Sequence, residues 1–190
     1  FVPTGGTLED VAEIDLRGLD PILKQTELVT MCDITNPMYG PNGAAYVFAP
    51  QKGADPGMVA RLDRGLSHLA KVMHQQLGID VAQLSGAGAA GGMGGGMAAF
   101  FYSQLEPGIE AVLDTVGFDD LLADTTAVFT GEGKIDSQSL GGKVVIGVAR
   151  RAKRQGVPVI AVVGDIGDPI DDAYDQGVSA IFSINRVAVP

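Results

Sequence analysis

Apolar side chains at Leu62, Leu66, Leu69, Met73 and Leu77 recur in steps of four, three, four and four, the spacing that lines one face of a helix. Asp55 supplies an N-terminal cap, Pro56 suits a first turn and Gly78 supplies a stop, so the spacing predicts a helix over 56–77. A second helical pattern covers 108–123, with Ile109, Val112, Leu113, Val116 and Leu121 apolar. From residue 127 the texture changes. Short apolar runs at 127–129, 157–163 and 178–184 alternate with helical patterns at 139–155 and 170–176. Strands alternating with helices predict right-handed β-α-β crossovers and a parallel sheet. Upstream, 27–31 reads as a strand, 34–42 as a loop rich in proline, glycine and asparagine, and 44–48 equally as a short strand or a helix start. A mixed pattern over 10–23 closes on the turn Gly18-Leu19-Asp20-Pro21. The change of texture sets a boundary near residue 124, giving segments 1–124 and 125–190 of an α/β chain.

Composition narrows what such a chain can do. With 46% hydrophobic and 19% charged residues among 190, it has the means to fold without a disulfide or metal staple. A formal charge of −10 opposes nucleic acid and anionic membranes unless a basic patch overrides it. The basic cluster Arg150, Arg151, Lys153 and Arg154 falls late in a predicted helix, where cations complement the helix dipole. An acidic chain that binds an anion must therefore use backbone N–H groups, a few placed lysines or a metal ion. No apolar run is long enough for a membrane helix, and the single cysteine, Cys32, excludes an internal disulfide and fits a reducing, cytoplasmic setting. The start at Phe1 without methionine or leader, and the stop soon after 180–184, read as part of a longer protein.

The 27 glycines are about twice the usual share of roughly 7%, and they concentrate at 86–96. Gly86-Ala87-Gly88-Ala89-Ala90-Gly91 matches G-x-G-x-x-G. A dinucleotide fingerprint also needs a good strand before it and an acidic residue about 20 positions later on a second strand. Residues 81–85 make a poor strand and 106–110 read as a turn into a helix, which argues against a Rossmann fingerprint; a nicotinamide-dependent oxidoreductase stays as a third reading that predicts NAD(H) binding by the Gly86 loop. Two other readings of the stretch remain: a turn whose N–H groups cradle an anion, with Gly86, Gly88, Gly91 and Gly92 as the donors, or close packing against a neighbouring element.

Thr130-Gly131-Glu132-Gly133-Lys134-Ile135-Asp136-Ser137 sits where a predicted parallel strand gives way to a helix, the edge at which open α/β sheets bind ligands. Gly131 and Gly133 admit close backbone approach, and Lys134 and Asp136 put opposite charges in one short segment. It is not a Walker loop; its bland alternative is a Ser137 or Ser139 helix cap with solvated charges. Cys32-Asp33-Ile34-Thr35-Asn36-Pro37 is another polar loop after an apolar strand, with Asp33 able to bind a hydroxyl or metal and Asn36 able to present an amide. Asx-turn chemistry explains it equally well. Gln51 and Lys52 precede a glycine turn. Cys32 lacks a histidine partner nearby in sequence and reads as a buried, inert thiol. His68 and His74 lie six apart on one helix, the wrong spacing for a metal pair, and read as surface or rim residues.

Five motifs occur in order: Cys32-Asp33-Ile34-Thr35-Asn36-Pro37, Gly40-Pro41-Asn42-Gly43-Ala44, Phe48-Ala49-Pro50-Gln51-Lys52-Gly53-Ala54, the glycine-rich 86–96, and Thr130 to Ser139. Together, with Ile14-Asp15-Leu16-Arg17-Gly18-Leu19-Asp20-Pro21, they resemble the bacterial glycerate kinase family, type 1. The resemblance covers nearly the whole chain. It implies ATP-dependent phosphorylation of glycerate, with 2-phosphoglycerate favoured, in a two-domain α/β protein. One domain is Rossmann-like with a parallel sheet, and the other is inserted between its strands. The early Asp-Ser-Tyr-Lys-type strand end and the Gly-Gly-Ser-Ala-Thr-Asn-Asp-Gly-Gly-type loop of the family do not occur here. The chain therefore matches the C-terminal half: 1–124 as part of the inserted domain and 125–190 as the returning part of the first. On that resemblance Asp136 is expected as general base or magnesium ligand and Lys134 as the neutraliser of developing charge. Asp33, Asn36, Gln51 and Lys52 are expected to bind glycerate, and the glycines ATP phosphates. Magnesium is the expected ion; the oligomeric state is left open. The competing class is a non-catalytic fragment that binds a small anion.

Overall fold

The computed structural model describes residues 2–136, 139, 143–167 and 170–185. It divides into two compact units, 1–106 and 107–190. The expected Ser137 and Gln138, and residues 140–142 of the predicted 139–155 helix, lie outside the described residues.

The first unit runs β1 (Val29–Met31), α1 (Ala44–Phe48), α2 (Pro56–Leu77), α3 (Ala89–Phe101) and β2 (Gln104–Glu106), with single 3-10 turns at Gly5–Asp10, Pro21–Lys24 and Pro50–Lys52. Helix α2 has its predicted bounds. The Asp55 carboxylate accepts from the Met58 N–H at 2.8 Å, and Gly78 turns left-handed at φ 73° while donating to the His74 carbonyl. Leu66 and Met73 of the predicted stripe are buried with Met38, Val59 and Ala99, and Leu62, Leu69 and Leu77 pack against them. Residues 44–48 resolve as a helix. Strand β2 is new: three residues are too few for their alternation to signal a strand, and it exists because it pairs in parallel with β1, Val29 against Gln104 and Met31 against Glu106.

The glycine-dense stretch does not simply lead into a helix but forms one. Ala90, Gly91 and Gly92 are left-handed at φ 50°, 75° and 101°, and regular helix follows from Met93. Each helical glycine costs about 1 kcal/mol against alanine. Burial of Gly94, Gly95, Ala98 and Ala99 offsets that cost by letting α3 lie close to its neighbours.

The second unit runs α4 (Gly108–Thr115), α5 (Phe118–Leu121), β3 (Val128–Ile135), α6 (Val144–Arg154), β4 (Val159–Ile166), α7 (Asp171–Asp175) and β5 (Val178–Ser183). The three strands are parallel in the order β3-β4-β5, as the alternating pattern requires. Val159, Ala161 and Val163 of β4 bury one sheet face in a core shared with Val145, Ile146 and Ala149 of α6. Two expectations are corrected. Strand β3 does not stop at 129 but continues through Thr130 to Ile135, because those residues pair with β4 as far as Ile135 against Ile166. The single helix over 108–123 is broken at Gly117, which is left-handed at φ 62°.

The division falls after Glu106 rather than near 124. The reason is Arg151, whose side chain is only 8% exposed. Its guanidinium reaches Glu110 at 2.7 Å, Asp114 at 2.5 Å and Asp119 at 3.3 Å, tying α4 and α5 to α6. Burial works against its charge, but the hydrogen bonds it donates to the Glu110 and Asp114 carboxylates outweigh that and hold its pKa above the ordinary arginine value. Dipole complementarity, which the basic cluster suggested, still fits Lys153 and Arg154 at the helix end. Replacing Arg151 with methionine leaves the carboxylates facing one another. A loss of about 2–3 kcal/mol is expected, read as a lower urea midpoint for the second unit's unfolding.

Candidate functional site

In the first unit the chain leaves β1 at Met31, where the Cys32 N–H donates to the Glu106 carbonyl at 2.7 Å and prolongs the ladder by one bond. Cys32, Asp33 and Ile34 then form one wall of a cavity of about 510 Å³. The opposite walls come from α1, the turn after it and α2, contributing Phe48, Gln51, Lys52, Leu62 and Leu66, with Ala90 and Gly91 of the α3 entry closing the end. Apolar walls with a carboxylate, an amide and an ammonium group converging on them form an ordinary small-molecule site. Three motifs far apart in sequence thus share one cavity: Asp33, the pair Gln51 and Lys52, and Gly91.

Asn36 does not join them. Its amide donates to the Asn42 carbonyl at 2.9 Å and pins the 36–42 loop. Of the four glycines expected to cradle an anion, Gly91 is the one on the cavity. Gly88 serves backbone packing, since a Cβ there would lie 2.4 Å from the Pro37 carbonyl oxygen. A Cβ on Gly86 would meet the Cys32 sulfur at 2.9 Å, and one on Gly92 would meet Leu66 Cδ2 at 2.8 Å. Cys32 itself is half-buried and lines the cavity, against the expectation of a buried thiol; its S–H donates to the Ile34 carbonyl at 3.2 Å. His68 is a rim residue as expected, with Nε2 2.8 Å from the Val11 carbonyl oxygen.

In the second unit the expected catalytic pair lies at the carboxyl end of β3. Lys134 is the penultimate strand residue, paired in register with Asp165, and Asp136 is the first residue beyond the strand. Lys134 Nζ stands 4.0 Å from Asp136 Oδ2. Buried Ser139 folds the turn: it receives the Asp136 N–H on its hydroxyl at 3.3 Å, donates its own N–H to the Asp136 carbonyl at 2.9 Å and its hydroxyl to the Lys134 carbonyl at 3.3 Å. Ser139 is not the cap of α6, whose N-cap is Lys143 without a side-chain bond; it fixes the backbone carrying both charges instead. Gly131 and Gly133 lie within the strand; a Cβ on Gly131 would lie 2.3 Å from the Val162 carbonyl oxygen, so this glycine permits close strand approach. Gly167 flanks the pair from the neighbouring strand end, where a Cβ would meet Asp136 Cβ at 2.9 Å and Lys134 Cε at 3.1 Å.

The sequence profile of the glycerate kinase family matches residues 1–190. The chain belongs to the glycerate kinase family. It is 45% identical over 180 residues to a glycerate kinase of Halalkalibacterium halodurans and 46% identical over 180 residues to a glycerate 2-kinase of Escherichia coli, in each case covering 95% of this chain and 47% of the relative. A crystal structure assigned as glycerate kinase 2 from Salmonella typhimurium LT2 superposes with a TM-score of 0.79 at 46% identity, covering 94% of this chain and 46% of that one. The chain therefore spans about half the length of the glycerate kinase family relatives it matches.

Two residues beside the expected pair escaped the sequence reading. Asp165, opposite Lys134 at the end of β4, follows an apolar run just as Asp33 does and could have been found by that sign. Glu132 is half-buried, and its Oε1 is fully enclosed without a hydrogen-bond partner among the described residues. Its position between two glycines announced a loop, which hid a carboxylate on a strand.

Gly88→Ala tests how the cavity wall is held. The added methyl group forces the 34–37 loop outward, with a stability loss of about 1–3 kcal/mol for the first unit in urea titration. It should also speed Cys32 alkylation by thiol reagents, whereas Gly18→Ala, where an added Cβ meets nothing within 4 Å, should leave that rate near the parent's.

Proposed function

We propose that this chain is the C-terminal half of a glycerate kinase that transfers the γ-phosphoryl group of ATP to a glycerate hydroxyl, with 2-phosphoglycerate as the product. The match of the glycerate kinase family over residues 1–190 carries this reading, and the name of the Escherichia coli relative supports the 2-hydroxyl. On this reading 1–106 corresponds to part of an inserted domain and 107–190 to the returning part of a Rossmann-like one. No helix among the described residues is long and apolar enough to cross a membrane.

Phosphoryl transfer asks a protein for positioning and charge stabilisation more than for covalent chemistry. Asp136 acts as general base, accepting the proton of the attacking hydroxyl, and Lys134 neutralises charge on the transferred group. Their shared turn, held by Ser139, supports this pairing. Asp33, Gln51 and Lys52 bind glycerate, the carboxylate of Asp33 taking hydroxyl protons and the ammonium group of Lys52 meeting the acid. Asn36 sets the loop that presents Asp33. Gly91 offers backbone to an anion at the cavity end.

Among the described residues no three His, Cys, Asp or Glu side chains gather as a metal cage. Magnesium on ATP needs only one or two protein carboxylates, the phosphates and water completing its shell. Asp136 is the carboxylate that would hold it, a role alternative to that of general base, since one carboxylate does not serve both. Held there, the ion would supply charge neutralisation between phosphates in a chain whose net charge is −10.

In the full-length protein, Asp136→Ala is expected to lower kcat by about 10²–10⁴-fold in a coupled ADP-release assay, the range a general base contributes. Near-normal turnover would remove Asp136 from the chemistry. Lys52→Met should raise the KM for glycerate by about tenfold or more with kcat little changed, the pattern of lost ground-state binding. Phosphorus NMR of the product distinguishes the 2- from the 3-phosphate. The 190-residue chain alone should show no turnover; activity in it would support a self-sufficient catalytic half instead.

A further inference from the structure

The cavity of the first unit runs from a polar rim to an apolar floor. On the floor Leu66 is 5% exposed, Ala44 3% and Ala45 4%, with Leu8 and Phe48 half-buried beside them. The polar groups, those of Asp33, Gln51 and Lys52, belong to exposed residues and so stand at the rim. The floor follows from the helix patterns. Leu66 belongs to the buried stripe of α2, and Ala44 and Ala45 open α1, where their small side chains leave room. At about 30 Å³ per water, a volume of about 510 Å³ holds roughly 17 waters. Glycerate, three carbons and four oxygens, takes less than half of that space. Each of its carbons carries oxygen, so it has nothing apolar to lay against leucine and phenylalanine.

We infer that this cavity takes 2,3-dihydroxy acids bearing an apolar substituent on C3, with the acid and hydroxyls at the rim and the substituent laid over Leu66, Phe48 and the two alanines. This names a wider substrate class for the proposed glycerate site and rests on that reading. Displacing loosely held water from apolar walls with an apolar group strengthens binding. Each methylene buried there adds about fourfold in affinity. The gradient also orients the ligand, because a substituent drawn to the floor leaves the carboxylate facing Lys52 and the hydroxyls facing Asp33. The transfer itself is that proposed for glycerate. The 2-hydroxyl oxygen bonds to the γ-phosphorus, the bond from that phosphorus to the bridging oxygen breaks, ADP leaves with the electron pair, and the hydroxyl proton passes to the general base.

The full-length protein is assayed with ATP and glycerate, 2,3-dihydroxybutanoate or 2,3-dihydroxyhexanoate. Cys32, on the cavity wall, reports occupancy through its alkylation rate, read on its own peptide by mass spectrometry. The KM is expected to fall by about fourfold per added carbon, to at least about tenfold below that of glycerate for the hexanoate. The hexanoate should protect Cys32 at a correspondingly lower concentration than glycerate. A KM that stays level or rises while glycerate is phosphorylated overturns the inference and leaves the kinase reading standing. If glycerate is not phosphorylated, that reading fails and Cys32 decides alone: equal protection by the three acids, or none, overturns the inference. A lower KM without protection of Cys32 puts the substituent elsewhere, and protection by ATP alone gives the cavity to the nucleotide; either result overturns it. Ala45→Leu, which fills the floor, is expected to lower the ratio of kcat/KM for the hexanoate to that for glycerate by about tenfold. An unchanged ratio in the folded variant overturns the inference, and if the variant does not fold the three acids on the parent protein decide.

Discussion

Backbone brought against backbone, closer than any side chain would allow, is the constraint on which the rest of this molecule depends. In the first unit the 86–88 segment passes beneath the 34–37 loop, where a Cβ on Gly88 would lie 2.4 Å from the Pro37 oxygen. The glycine-dense helix can then follow α2 closely enough to bury Met38 and Leu66. The cavity that gathers Asp33, Gln51 and Lys52 is what remains on the far side of that packing. In the second unit the same constraint acts between strands, where Gly131 approaches the Val162 carbonyl and Gly164 that of Gly133. The glycine excess is spent mainly on close packing, and only locally on open turns.

Electrostatics is secondary but selective. The chain carries 13 cationic against 23 acidic residues, and the most deeply buried cation among the described residues, Arg151, is enclosed by its own carboxylates. A cation surrounded in this way has no charge to offer a ligand. Lys134 differs: it is exposed, with Asp136 only at the limit of ion pairing, 4.0 Å away. Lys52 stands on the wall of a cavity. With a net charge of −10 the overall field of the chain repels anions, so an anionic ligand would have to be met by cations placed as these lysines are or by backbone N–H groups.

Most elements governed by local rules could be read from sequence. The α2 stripe, its Asp55 cap and Gly78 stop are as expected, and so is the parallel alternation of β3, β4 and β5. What could not be read depends on partners distant along the chain. Gln104-Leu105-Glu106 is a strand only because β1 lies beside it. Thr130 to Ile135 carries two glycines and reads as a loop, yet the pairing with β4 holds it extended. The helices over 108–121 join the second unit through Arg151, forty residues away along the chain, so texture alone set the boundary too late. At the site, Asp33, Lys52 and Gly91 were legible as residues that could bind, while their meeting in one cavity was not. Asn36, equally plausible on paper, is occupied by Asn42. Nothing in its local sequence distinguished the two fates.

The two cores also decide how energetics in this protein should be interpreted. Each buried cluster belongs wholly to one unit, and among the described residues the sheets they support have two and three strands. A sheet of two short parallel strands has little stability of its own, so the first unit rests on α2, α3 and the glycine contacts between them. The second rests on one sheet face and the Arg151 cluster. Chains with separate cores need not unfold in one step, and a single unfolding free energy is then not a defined quantity. Effects of changes in Gly88 and in Arg151 belong to different transitions and should not be summed. A substitution that appears mild in a global melt can therefore have emptied one unit of its fold while the other holds the signal.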